Sequence, residues 1–184
     1  MSRLFSWTSK KDDAHMKKKP LLLVVEDSKK TQQVIRDRFT ELGCDLVSCT
    51  TAEEAMKLLQ TDSRVDVIIL DFNLPGMKGP AFYEQVTKDK VLSIIPVVPF
   101  TSTVDKEYNS KSTEPGDWAL ISNSYGGRDN STPIVSKGDS EHISQVPDKL
   151  IINVGRAIRK KGVPIPDPMR EVITAITRKI GKAD

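Results

Sequence analysis

Acidic side chains stand at the ends of two apolar runs in this chain. Leu21-Leu22-Leu23-Val24-Val25 gives way to Glu26-Asp27, and Val65-Asp66-Val67-Ile68-Ile69-Leu70 gives way to Asp71-Phe72-Asn73-Leu74-Pro75-Gly76. A further run, Ile94-Ile95-Pro96-Val97-Val98-Pro99-Phe100, ends in Thr101-Ser102, and a short one, Pro133 to Ser136, ends at Lys137. Carboxylates gathered at one place repel one another unless a cation sits among them. Their hard oxygen donors suit Mg²⁺, which keeps several waters and takes one or two carboxylates. A carboxylate beside such an ion can attack a phosphoryl group and carry it as an acyl phosphate. A nearby ammonium and hydroxyl can then take up charge on the moving oxygens. For Asp71 alone the plainer role is to cap the Leu-Pro-Gly turn, as Asp often does.

The elements that would position these groups follow from the spacing. Apolar, largely β-branched runs of this length are what strands buried on both faces look like. Ser28 is a plausible N-cap for a helix to about Leu42, with Val34, Ile35, Phe39 and Leu42 on its inner face and Gly43 at its end. Asp45 to Cys49 alternates as a strand should. Thr51 with Glu54 resembles a capping box, opening a helix that carries Ala55, Met56, Leu58 and Leu59. A helix over about 79–88 buries Phe82 and Val86. The run 94–100 is expected as a strand, and a helix over about 147–160 carries Leu150, Ile151, Val154 and Ile158. Strands alternating with helices in this way mean a parallel sheet with right-handed crossovers. The rhythm breaks between about 105 and 132, where Ser, Asn, Gly and Lys dominate and Trp118 to Ile121 is the only apolar island.

Composition narrows the class further. A chain of 184 residues, 38% hydrophobic and 29% charged, accommodates one ordinary domain with appendages. No apolar run approaches the ~20 residues that cross a bilayer, so a cytoplasmic protein is expected. Cys44 and Cys49 are too few for a disulfide framework, and their odd spacing should turn them to opposite faces of a strand. The net charge of +3 conceals an asymmetry. Residues 1–19 hold six Lys/Arg against two Asp, residues 156–184 hold eight against three acids, and the middle holds fourteen against twenty. An acidic domain with basic ends argues against a uniform nucleic-acid surface. His15 and His142 are isolated and lack the helical context of a phosphodonor.

Four segments together resemble the receiver domain of bacterial response regulators: Val24-Val25-Glu26-Asp27-Ser28, Asp71 through Gly79, Pro96 through Ser102, and Val135-Ser136-Lys137. The resemblance covers about residues 20–161. It implies a flavodoxin-like α/β fold, a doubly wound five-stranded parallel sheet of order 2-1-3-4-5, with ligand chemistry where the strand order reverses. It further implies that Asp71 accepts a phosphoryl group from a phosphohistidine on a sensor histidine kinase or phosphotransfer protein. Asp27, Asp71 and the backbone carbonyl of Asn73 would bind Mg²⁺, with Glu26 acting through water, while Thr101 and Lys137 would contact the phosphoryl group. Such a domain is a regulatory phosphoacceptor rather than an enzyme, at most catalysing its own Mg²⁺-dependent phosphorylation and slow dephosphorylation. Three features depart from the family. Ile134 stands where a switching Tyr or Phe is usual, Gly138 replaces the Pro that typically follows the lysine, and the long polar segment replaces the fourth helix.

The expected organisation is therefore a basic flexible tail (1–19), a receiver domain (20–161, with an insert at about 105–132) and a C-terminal amphipathic helix extension (162–184). In the extension Pro164 and Pro166 break the chain, Asp167 can cap, and Met169, Val172, Ile173, Ile176 and Ile180 form a stripe that either packs back or engages a partner. The favoured function is a single-domain response regulator that signals to an unknown downstream protein through phosphorylation-dependent contacts, with no nucleic acid involved. The alternative is a receiver-fold scaffold that binds its partner whether or not it is phosphorylated. An aspartate phosphatase of the haloacid dehalogenase type needs a second Asp two residues after the nucleophile, and Asn73 stands there.

Overall fold

The structure is a computed structural model, and it describes residues 18–61, 64–102, 135–137 and 143–180. In chain order the elements are β1 (Leu21–Val25), α1 (Lys29–Glu41), β2 (Asp45–Cys49), α2 (Ala52–Thr61), β3 (Val67–Leu70), α3 (Gly79–Lys88), a 3₁₀ turn (Leu92–Ile94), β4 (Val97–Thr101), β5 (Val135–Ser136), α4 (Asp148–Lys160) and α5 (Asp167–Ile180). The strands form one sheet of order β2-β1-β3-β4-β5, with parallel pairing throughout. This is the doubly wound, flavodoxin-like receiver topology that the sequence implied. The expected tail up to residue 17, the polar segment, Ile134, Gly138, His15, His142 and Gly181 lie outside the described residues.

Because successive side chains of a strand point to opposite faces, the sheet divides its apolar residues between two cores. Leu22, Val24, Val67, Ile69, Val98 and Phe100 pack with α1, α4 and α5. Leu23, Val25, Ile68, Leu70 and Val97 pack with α2 and α3. Cys44 falls in the first core and Cys49 in the second, the opposite placement that their spacing predicts. Both thiols are free, and burial pushes that of Cys44 up to about 12.

Helix starts are set by local chemistry. The Ser28 side chain accepts from the Thr31 N–H at 3.3 Å and caps α1, and Gly43, at φ +84°, lets the chain leave the helix for β2. At α2 the capping box differs from expectation. Thr51 Oγ1 does accept from the Glu54 N–H, at 3.2 Å, but the Glu54 carboxylate reaches back to the N–H and hydroxyl of Thr50 rather than to Thr51.

The expected strand 94–100 begins later. Asp89 Oδ1 accepts from the N–H groups of Val91 and Leu92, at 2.7 and 2.9 Å, and the chain winds into a 3₁₀ turn that leaves Ile94 66% exposed. Pairing starts only past Pro96, whose carbonyl accepts from Ile68 N at 3.0 Å. The C-terminal stripe packs back on the sheet's flanking helices. Met169 is fully buried and Ile176 nearly so, Val172 and Ile173 lie against the same core, and Ile180 stays exposed. Gly155 of α4 lies against this stripe: a Cβ there would stand 2.4 Å from Ile173 Cδ1, so the tip of that side chain would have to shift.

Candidate functional site

Register places the acidic residues together. Leu70 of β3 pairs with Val25 of β1, and the Asp71 N–H donates to the Val25 carbonyl at 2.8 Å. Asp71 therefore leaves its strand level with Glu26 and beside Asp27. On the other flank Thr101 pairs with Ser136, and Lys137 N donates to the Thr101 carbonyl at 2.8 Å, so Thr101 and Lys137 reach the same C-terminal edge of the sheet.

Carboxylate oxygens of Glu26, Asp27 and Asp71 lie within 4.8 Å of one another. Glu26 and Asp71 are buried, whereas Asp27 is exposed at the mouth. The Lys137 ammonium bridges the two buried acids, donating to Glu26 Oε2 at 2.5 Å and to Asp71 Oδ2 at 2.7 Å. It also lies 5.5 Å from the centre of the Phe100 ring, within cation–π range. The other oxygen of Asp71, Oδ1, accepts from the N–H groups of Phe72 and Asn73, at 2.6 and 3.3 Å. Thr101 is fully buried at the tip of β4. Asn73 is exposed on the turn after β3.

The electrostatics favour a cation here. Burial raises the Glu26 carboxyl to about 7, repulsion from Asp71 adds to the rise, and the Lys137 ammonium opposes it. Three carboxylates face one ammonium among the described residues that the cluster contacts, so negative charge is in excess. Hard oxygen donors gathered this closely fit a small divalent ion such as Mg²⁺ better than a soft metal. A direct pair with Lys137 occupies one of the Glu26 oxygens.

A family model for the response regulator receiver domain matches residues 22–126. The chain belongs to the response regulator receiver family. This receiver is 28% identical over 108 residues to the sensor histidine kinase CheAY of Helicobacter pylori, an alignment that covers 58% of this chain and 13% of that one. It is 33% identical over 82 residues to a chemotaxis protein CheY homolog of Campylobacter jejuni, covering 44% of this chain and 63% of the relative. The receiver thus spans less than two thirds of either relative's length. The crystal structure of the Mn²⁺-bound form of response regulator Rcp1 superposes with a TM-score of 0.51 at 22% identity, covering 66% of this chain and 83% of that one, a likeness of fold. Members of this family are regulatory phosphoacceptors whose acidic pocket binds Mg²⁺. No described helix of this receiver is long and apolar enough to cross a membrane.

Three polar side chains around the receiver's acidic edge escaped the sequence reading. Gln32 of α1 donates its amide to the carbonyls of Glu26 (2.5 Å) and Cys49 (3.2 Å), tying the tips of β1 and β2. Glu53 of α2 accepts from the Met77 N–H at 2.8 Å, and the Lys78 ammonium donates to the Leu74 carbonyl at 2.8 Å. A signal for the first two was present. Helices that follow parallel strands begin at the edge where those strands end, so polar residues near their starts face the site's surroundings.

Proposed function

We propose that this receiver accepts a phosphoryl group on Asp71 from a phosphohistidine of a sensor histidine kinase or phosphotransfer protein, and signals through contacts that depend on that group. The observation that carries the reading is the buried Lys137 ammonium bridging Glu26 and Asp71 beside exposed Asp27. That arrangement orients the Asp71 carboxylate at the sheet edge, with a cation ready for the incoming oxygens. Asp71 and Asp27, with the Asn73 carbonyl, would hold Mg²⁺, which supplies charge neutralisation on the transferring group. Two backbone N–H groups fix Asp71 Oδ1, so the carboxylate meets phosphorus without rotating. A carboxylate oxygen forms the bond to phosphorus as the donor's imidazole nitrogen leaves with its electron pair and takes up a proton. Lys137 then shifts its interaction toward the phosphoryl oxygens, and the Thr101 hydroxyl donates to them. A cytoplasmic location suits a donor of this kind, and the name of the Helicobacter pylori relative, a sensor histidine kinase, points to the same partner class.

Incubation with acetyl phosphate and Mg²⁺, read by intact mass, tests the reading. The wild type should gain one phosphoryl group, while Asp71→Asn and an EDTA-treated sample should gain none. Capturing binding proteins on beryllofluoride-treated and untreated receiver separates signalling from scaffolding. A partner retained equally in both states, with no phosphoryl uptake, would establish the scaffold instead.

A further inference from the structure

The turn that follows β3 carries the Asn73 carbonyl, and it is held from outside its own strand and helix. Glu53, in the first turn of α2, accepts from the Met77 N–H at 2.8 Å across a sequence separation of 24 residues. That bond is the largest of the causes that lower the Glu53 pKa. Gly76 sits at φ +68°, where a side chain is strained, and a Cβ there would stand 2.8 Å from Glu53 Oε1. Gly76 therefore gives the turn its shape and leaves room for the Glu53 carboxylate. The exposed Lys78 donates its ammonium to the Leu74 carbonyl across the same turn, and Gly79 N donates to the Phe72 carbonyl at 3.0 Å.

We propose that Glu53 is a positioning residue for the metal site, clasping the 73–78 turn through the Met77 amide so that the Asn73 carbonyl is presented toward the acidic cluster. The proposal rests on the metal-binding reading given above. Without the clasp the turn spends part of its time in other shapes, and the apparent dissociation constant rises as the competent fraction falls. Partners that orient metal ligands typically matter at this level.

Calorimetric titration of Mg²⁺ into wild type, Glu53→Ala and Glu53→Gln tests it. Glu53→Ala should weaken Mg²⁺ binding roughly threefold to tenfold, in line with loss of one hydrogen bond to a charged group at a solvated position. Glu53→Gln keeps an oxygen acceptor for the Met77 N–H and should recover most of that affinity. Hydrogen exchange at the Met77 amide should speed up in Glu53→Ala alone. Wild-type affinity in Glu53→Ala would overturn the proposal while leaving the metal site standing. A Glu53→Gln protein as weak as Glu53→Ala would also overturn it, because charge rather than the hydrogen bond would then be responsible. A wild type that binds no Mg²⁺ would overturn the function reading and this proposal together.

Discussion

At the scale of single residues, the protein keeps two carboxylates and an ammonium almost wholly out of water. Removing charges from water is expensive, and the pairing repays it only when each hydrogen bond is made. Glu26 records the residual cost, since burial leaves its carboxyl at about 7. An acid whose pKa is raised by folding holds its proton more tightly in the native than in the unfolded chain. Its favourable contribution is therefore complete at low pH and is lost as pH rises from the ordinary carboxylate range through about 7. In the metal-free protein we expect Glu26 to cost on the order of 2 kcal/mol of unfolding free energy between pH 5 and pH 8. Urea unfolding in EDTA at those two values checks this: Glu26→Gln should lose less stability than the wild type over the same interval. The residue types at the strand tips were legible because apolar runs end abruptly in polar groups. Lys137's choice of partners was not, since Glu26 and Lys137 are 111 positions apart and only the register of five strands brings them together.

At the scale of elements, the site depends on how closely α3 approaches the end of β3. Gly79 opens that helix, and a Cβ on it would lie 2.4 Å from the Asp71 carbonyl oxygen and 2.6 Å from Phe72 Cα. Both are backbone atoms that cannot swing aside. Gly79→Ala should therefore destabilise the fold by about 1–3 kcal/mol, the usual range for overpacking, and should weaken Mg²⁺ binding by displacing Asp71. Chemical denaturation beside a Mg²⁺ titration measures both. The strands and helices were readable here because fully buried strands and amphipathic helices have different periods. The 3₁₀ turn was not, because the apolar residues of Ile94-Ile95 match a strand pattern. What decides the matter is a pair of hydrogen bonds to the Asp89 side chain. Similarly, Thr50 competes with Thr51 for the Glu54 carboxylate, a local choice that the S/T-x-x-E pattern does not encode.

At the scale of the whole molecule, the sheet separates two apolar cores, and the C-terminal helix belongs to one of them. Met169 buries its entire side chain in the core shared by α1 and α4, with its Sδ 3.7 Å from where a Cβ on Gly155 would stand. Met169→Ala should cost roughly 2–5 kcal/mol by the combined loss of transfer energy and cavity formation. A urea midpoint shift for the full chain measures it, and a change within ±0.5 kcal/mol, typical of surface positions, would mean that α5 is a detachable appendage. The stripe on this helix was legible in the sequence, but the surface that receives it was not. Gly43 and Gly155 lie under the helix and the chain leading to it, where an added Cβ would stand 2.8 Å from Pro166 Cβ and 2.4 Å from Ile173 Cδ1. Whether Asp71 is the residue that carries the phosphoryl group can be read from the chain itself. The wild type would be exposed to acetyl phosphate with Mg²⁺, its acyl phosphate reduced with borohydride, and the modified residue located by tandem mass spectrometry. Modification is expected at Asp71 alone. A label at Asp27, at Glu26 or at no carboxylate would contradict it.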